Sequence, residues 1–212
     1  YGHCRIDHTE HRIEVRFRTL GGENILFRAP ASALRAIAAE QVTAESLTTA
    51  IIETIQPTLP DNVHHMALHL HTEHIEGAWY RYSHGLKHHS GNCQRIAHGH
   101  RSRIQIYADG QRSELLERQW AARWKDRYLG TRDDLLQEFS KDGIDYCRFG
   151  YTENQGSFEL VLPKSRCYLI DRDSTVENLA DYIARTLRTE HRNTRFQVKA
   201  FEGVAKGAFG EA

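Results

Sequence analysis

The chain has 212 residues, with 28 Lys and Arg against 28 Asp and Glu, so its formal net charge is zero. That length allows one large domain or two small ones with a substantial core, and the even balance argues against a nucleic-acid binder that works by neutralising phosphates. No apolar run approaches the ~20 residues that span a bilayer and no signal-peptide pattern is present; four scattered cysteines, Cys4, Cys93, Cys147 and Cys167, suit a reducing compartment, so the expectation is a soluble cytoplasmic protein.

The first residues run into strand-like alternation at Ile13, Val15 and Phe17, as though the chain begins inside a domain. A turn at Leu20-Gly21-Gly22 leads to a returning strand, ENILFRAP, and the alanine-rich stretch from Ala31 to Ala39 predicts a short helix. A firmer helix opens at Thr43, with Thr as cap, Glu45 in the first turn, and Leu47, Ala50, Ile51 and Ile55 on one face. Pro57 and Pro60 bracket its end, and Val63, Met66, Leu68 and Leu70 then predict a strand.

Most histidines lie between His64 and His100. The segment HGLKHHSGNCQRIAHGH, from His84 to His100, is flanked by two strand-like segments, GAWYRYSH and HRSRIQIYAD. Alternate side chains share a face of a strand, so His98 and His100 project together, and Gly99 between them permits a close backbone approach. A histidine pair on a half-exposed strand is by itself often only a solvated face. His84 from the neighbouring strand completes three nitrogens, the pattern of a catalytic zinc site that keeps its fourth position for water or substrate. Cys93 sits in the connecting loop and is not an obvious ligand.

Beyond the Asp109-Gly110 turn, Ser113 to Leu129 reads as one long helix with Leu116, Trp120, Trp124 and Tyr128 as an aromatic stripe that serves as core or subunit contact rather than as a ligand box. Gly130 would close it, and Thr131 with Asp133 and Asp134 would open another. CRFGYTENQGSFELVLP and RCYLIDRD read as strands. Ser174 and Glu177 form a capping-box pattern before a helix with Leu179, Tyr182, Ile183 and Leu187 on its apolar face. TRFQVKAFE and KGAFG predict a final hairpin.

An aromatic-rich strand ending in His, then Cys, then HGH opening the next strand resembles the 6-pyruvoyltetrahydropterin synthase and 6-carboxytetrahydropterin synthase family, from Gly77 to the C-terminus. The resemblance implies zinc held by His84, His98 and His100, with Cys93 as catalytic base. It also implies an α+β tunnelling fold, a four-stranded antiparallel sheet with two helices on one face, assembled with its neighbours into an oligomeric barrel. The T-x-E-N-L helix opening at Thr175 to Leu179 is a family mark, and so is the glutamate ending the next strand. By the resemblance Glu202 would anchor a pterin ring, since one carboxylate accepts two parallel N–H donors. The plain alternative is an exposed strand-end carboxylate.

Internal similarity points to a tandem. CRIDHTEHRIEVRF from Cys4 resembles CRFGYTENQGSFEL from Cys147, TAESLTTAIIETI from Thr43 resembles TVENLADYIARTL from Thr175, and LHTEHIEGAWY resembles KAFEGVAKGAFG. Residues 1–76 would then be a partial first copy, lacking the counterpart of 77–141, and residues 77–212 a complete second copy. Glu73 is the first-copy counterpart of Glu202. One departure matters: the family's Leu-Asp-His motif, whose Asp and His assist the cysteine, is missing, and its nearest phrase, DRYLG from Asp126, has no histidine. Asp7 and His8 would serve only if they reached Cys93 across a boundary.

The resemblance therefore implies a zinc-dependent lyase acting on 7,8-dihydroneopterin triphosphate. The C-x-x-x-x-HGH spacing leans towards 6-carboxy-5,6,7,8-tetrahydropterin, the queuosine-pathway product, over 6-pyruvoyltetrahydropterin on the way to tetrahydrobiopterin. Side-chain cleavage of a dihydroneopterin stays open. The alternative is a non-catalytic pterin-binding or assembly protein with a structural zinc. The expected partners are a pterin and further copies of the chain, with neither nucleic acid nor membrane.

Overall fold

The computed structural model describes residues 2–203 and 205–212. It divides into two compact units, one of residues 1–34 with 75–212 and the other of 35–74.

The smaller unit contains α1 (Ala44–Ile55), which starts where the sequence places it. Thr43 accepts from the Ser46 backbone N–H, and the Ser46 side chain returns the bond, so Ser takes the place that Glu or Gln usually holds in a capping box. No residue of α1 is buried. The helix over 176–190, by contrast, buries six of its residues. Two expectations around this unit fail. Between Ala31 and Ala39 only a 3-10 turn forms, at Ala31–Ala33, because Pro30 enters in an extended conformation and no side chain caps the start. Nine alanine-rich residues without a cap are too few to sustain helix nucleation. The alternating stretch from Val63 to Leu70 forms no strand. A strand exists only as half of a ladder, and none of the described residues supplies the other half.

In the larger unit, β1 (Gly2–His8), β2 (Arg12–Thr19) and β3 (Asn24–Pro30) form an antiparallel meander. Alternation along β2 buries Ile13 and exposes the arginines. Then come β4 (Trp79–His84), β5 (His98–Ala108) and the short β6 (Gln111–Arg112). The β5–β6 turn is Asp109-Gly110, with both residues at positive φ, as a two-residue hairpin turn requires.

Helix α2 (Glu114–Trp124) ends five residues before the predicted Leu129. Lys125 leaves the helical region, Asp126 takes φ 57°, and its N–H donates to the Arg81 carbonyl at 2.7 Å. The chain is thereby turned into β7 (Arg127–Thr131), which runs parallel to β4. Tyr128 consequently leaves the Trp120–Trp124 stripe and packs on Phe149, with ring centroids 4.9 Å apart. Gly130 caps no helix; it lies in β7, where a Cβ would collide with the Phe149 ring.

The next strands are β8 (Leu135–Lys141), β9 (Ile144–Glu153), β10 (Gly156–Pro163) and β11 (Cys167–Ile170). They are followed by α3 (Val176–Glu190), β12 (Phe196–Gly203) and β13 (Lys206–Glu211). The six-stranded sheet has the order β1-β2-β3-β10-β9-β8, and the other has the order β11-β7-β4-β5-β12-β13 with β6 beside β5.

Within the second sheet, β4-β5-β12-β13 is antiparallel throughout, and α2 and α3 close over it. This is the four-stranded core with two helices that the resemblance implies. Ile183, Leu187 and Leu179 of α3 meet Trp120, Trp124 and Tyr80 there, all nearly or fully buried. The 3.6-residue period of α3 and the alternation of β5 and β12 thus point into one core. Among the described residues no helix is long and apolar enough to cross a membrane.

Ile183→Ala would leave a void in the middle of this core and should cost about 2–5 kcal/mol. Tryptophan fluorescence in urea reads it out, since Trp120 and Trp124 lie in the same cluster; an unchanged midpoint would mean that the cluster does not hold the unit together.

Candidate metal centre

Strand pairing builds the site. In β4 the residues Tyr80, Tyr82 and His84 share a face, and in β5 the residues His98, His100 and Ser102 do. The register places His84 opposite His98, Tyr82 opposite His100 and Tyr80 opposite Ser102. The three imidazoles gather at the open end of this ladder, with ring centroids 4.2 Å apart for His84–His98, 5.1 Å for His84–His100 and 5.2 Å for His98–His100. Tyr82 walls the cluster against both His84 and His100. Gly99 does face a close approach, but from the Tyr82 carbonyl across the ladder.

Each ring is oriented through its Nδ1. That of His98 lies 3.0 Å from the Arg95 carbonyl and that of His100 lies 3.2 Å from the Glu202 carbonyl. A carbonyl only accepts, so both Nδ1 atoms carry the proton and both Nε2 atoms keep a lone pair. The third, in His84, lies 2.7 Å from the Ser174 hydroxyl, which is fully buried. Nε2 of His84 and Nε2 of His98 are buried with no hydrogen-bond partner among the described residues.

One ligand atom from each histidine lies within 4.8 Å of the others. Burial, with the neighbouring His98 and His100 adding to it, holds His84 well below the usual imidazole range. Burial also lowers His98. Neutral imidazoles with orphaned, converging lone pairs are what a divalent zinc needs, so the residues fit the metal.

The loop that carries Cys93 is fastened on both sides. Cys93 is half-buried in a 3-10 turn at Gly91–Gln94, and its carbonyl accepts from the Leu86 N–H at 3.0 Å. Next to it, buried Gln94 donates through Nε2 to the Lys87 and His89 carbonyls, both at 3.0 Å. Gln94 also receives the Tyr151 hydroxyl on its carbonyl at 2.7 Å and the Gln155 N–H on Oε1 at 3.1 Å. The β9–β10 hairpin therefore clamps the cysteine loop. Gly85 is required here, because a Cβ would strike both the Tyr151 hydroxyl and the Ile96 backbone.

Glu202 reaches the site from β12. Its backbone carbonyl holds His100, and its carboxylate, with only 10% of the side chain exposed, pairs with Lys206 at 2.7 Å. That contact raises the Lys206 ammonium, and Cys93 and Glu177 add smaller effects of the same sign. Glu73 belongs to the smaller unit and is half-buried. Asp7 pairs with Arg5 at 3.0 Å and His8 is exposed; both lie on β1, the outer strand of the other sheet, and no hydrogen bond or ion pair among the described residues joins them to Cys93.

Three residues of this site were not singled out for it by sequence. Gln94 and Tyr151 carry no local signal, since they meet across 57 positions. Ser174 was read as a helix cap, but Thr175 caps α3 by accepting from the Asn178 N–H, and this leaves Ser174 free to face His84.

Ser174→Ala would remove the group that orients His84 and should weaken zinc binding about 10–100-fold, the usual cost of losing such a support. Competition against a chromophoric chelator measures it; an unchanged affinity would leave Ser174 without a role in the metal site.

A family model described as 6-pyruvoyl tetrahydropterin synthase matches residues 77–209. Among solved structures, the chain is similar to that of 6-pyruvoyl tetrahydropterin synthase from Plasmodium falciparum, with 11% identity and a TM-score of 0.46 over 63% of this chain and 91% of that one. It is similar also to the enzyme of the same name from Plasmodium vivax, with 15% identity and a TM-score of 0.44 over 64% and 90%. No curated protein matches the chain. The sequence match spans the antiparallel core, the cysteine loop and all three histidines, and on that ground the chain belongs to the 6-pyruvoyl tetrahydropterin synthase family.

Proposed function

We propose that this protein is a zinc-dependent pterin synthase acting on 7,8-dihydroneopterin triphosphate. The leading product is 6-carboxy-5,6,7,8-tetrahydropterin, as in queuosine biosynthesis, with 6-pyruvoyltetrahydropterin as the alternative. The observation that carries this reading is the set of three imidazoles, each with a ligand nitrogen within 4.8 Å of the others, beside a fastened cysteine loop, within the segment that matches the family.

His84, His98 and His100 would hold the metal through Nε2. Bound there, zinc would polarise the side-chain oxygens of the substrate and lower the cost of removing a carbon-bound proton. Cys93 is assigned the role of base. The bonds from Gln94 to Tyr151 and Gln155 support that assignment, because a base must be held within reach of the proton it takes. Glu202 is assigned the pterin ring, where its carboxylate would accept a pair of N–H donors. Lys206 engages one of its oxygens, Oε2. We further propose that residues 1–76 are a partial first copy in which Glu73 is the counterpart of Glu202, and that several chains close a barrel. The order of elements supports the repeat: the hairpins β1–β2 and β9–β10 correspond, and Thr43 caps α1 as Thr175 caps α3.

A second reading is favoured by one observation. No Asp–His pair among the described residues is hydrogen-bonded to Cys93, so the site would bind a pterin without turning it over.

Zinc-loaded protein incubated with 7,8-dihydroneopterin triphosphate should release triphosphate and a pterin whose mass names the product. Cys93→Ala should lower the rate at least ~100-fold, the scale of a lost general base, while retaining zinc. Stoichiometric zinc without turnover in the unaltered protein would overturn the enzymatic reading in favour of the second one.

A further inference from the structure

The histidine cluster lies on one sheet, and the other sheet carries a charged face of its own. Cross-strand register puts Arg5 directly opposite Arg16, and Arg16 beside Leu26. The next row on the same face sets His3 opposite Arg18, and Arg18 beside Asn24. Like charges directly opposite on antiparallel strands destabilise the pair. In a chain whose 28 basic residues are matched by 28 acidic ones, this face concentrates cations against that balance.

Together with Arg28 and Lys141, these side chains line a groove of about 610 Å³, and no carboxylate is part of its lining. The neighbouring carboxylates are already committed. Asp7 engages Arg5 at 3.0 Å, and Glu14, with only 4% of its side chain exposed, is shared by Arg12, Arg16 and Arg28. The Arg28 guanidinium in particular holds the Glu14 carboxyl below its usual range. Glu159 is divided between Arg28 and Arg148. Arg18 and Lys141 are exposed and have no ion pair among the described residues.

We propose that this groove binds a small phosphate-bearing anion of nucleotide size. Guanidinium forks spaced along paired strands match phosphate oxygens bidentately, and Arg18 and Lys141 hold no carboxylate among the described residues that an incoming anion would have to displace. The volume lies within the range of small-molecule pockets. Leu26, opposite Arg16 on the same face, adds an apolar side chain to the lining. This assignment does not depend on the chemistry proposed at the histidine site.

The test is calorimetric titration of the full chain, freed of zinc, with magnesium-free ATP. Saturable binding below about 1 mM is expected, weakening as salt is raised. Arg18→Gln together with Lys141→Gln should reduce affinity at least about tenfold, while His100→Ala leaves it unchanged. Both substituted cations are exposed, so the fold should persist, and near-ultraviolet circular dichroism checks it. Absence of saturable binding, affinity indifferent to the double substitution, or affinity lost with His100→Ala would each overturn the proposal.

Discussion

Three hydrogen bonds on the far side of the imidazoles govern the site. The Arg95 and Glu202 carbonyls and the Ser174 hydroxyl each take one Nδ1, and this choice turns the Nε2 atoms inward. Their sources are widely separated: the turn after the cysteine loop, strand β12 and the residue before the α3 cap. The cluster therefore exists only when the antiparallel core is complete. Orphaned Nε2 atoms cost stability in the metal-free protein, since burial denies them both water and protons. A divalent cation bound there would repay that cost and would link metal affinity to folding.

The same economy of parts recurs at Glu202 and at the cysteine loop. Glu202 fixes His100 with its backbone and presents a carboxylate with its side chain, so the carboxylate and that imidazole cannot drift apart. The cysteine loop is tied down by Gln94 to the β9–β10 hairpin, which belongs to the six-stranded sheet. That sheet also includes β1–β3 through the β3–β10 ladder. Strands from the start of the chain thus stiffen the hairpin that holds the loop.

The histidine site was legible in sequence because its geometry is local: a period of two puts His98 and His100 on one face, and a single hairpin adds His84. The antiparallel core and α3 were legible for the same reason, as short-range periodicities. What sequence misplaced depended on distant partners or on single backbone torsions. Tyr128 continues the spacing of Trp120 and Trp124, and only the positive φ of Asp126 with its bond to Arg81 shows that the helix has stopped. Ser174 and Thr175 are both competent caps, and the contact with His84 decides between them. The stretch from Val63 to Leu70 alternates like a strand, yet alternation names a face and does not supply a neighbour.

X-ray absorption at the zinc edge of the loaded protein reads the ligand set of the histidine cluster. Three nitrogen neighbours at about 2.0–2.1 Å are expected, with one oxygen completing four-fold coordination. A sulfur neighbour at about 2.3 Å would make Cys93 a ligand and remove it as a base, and fewer than three imidazole nitrogens would contradict the site as built.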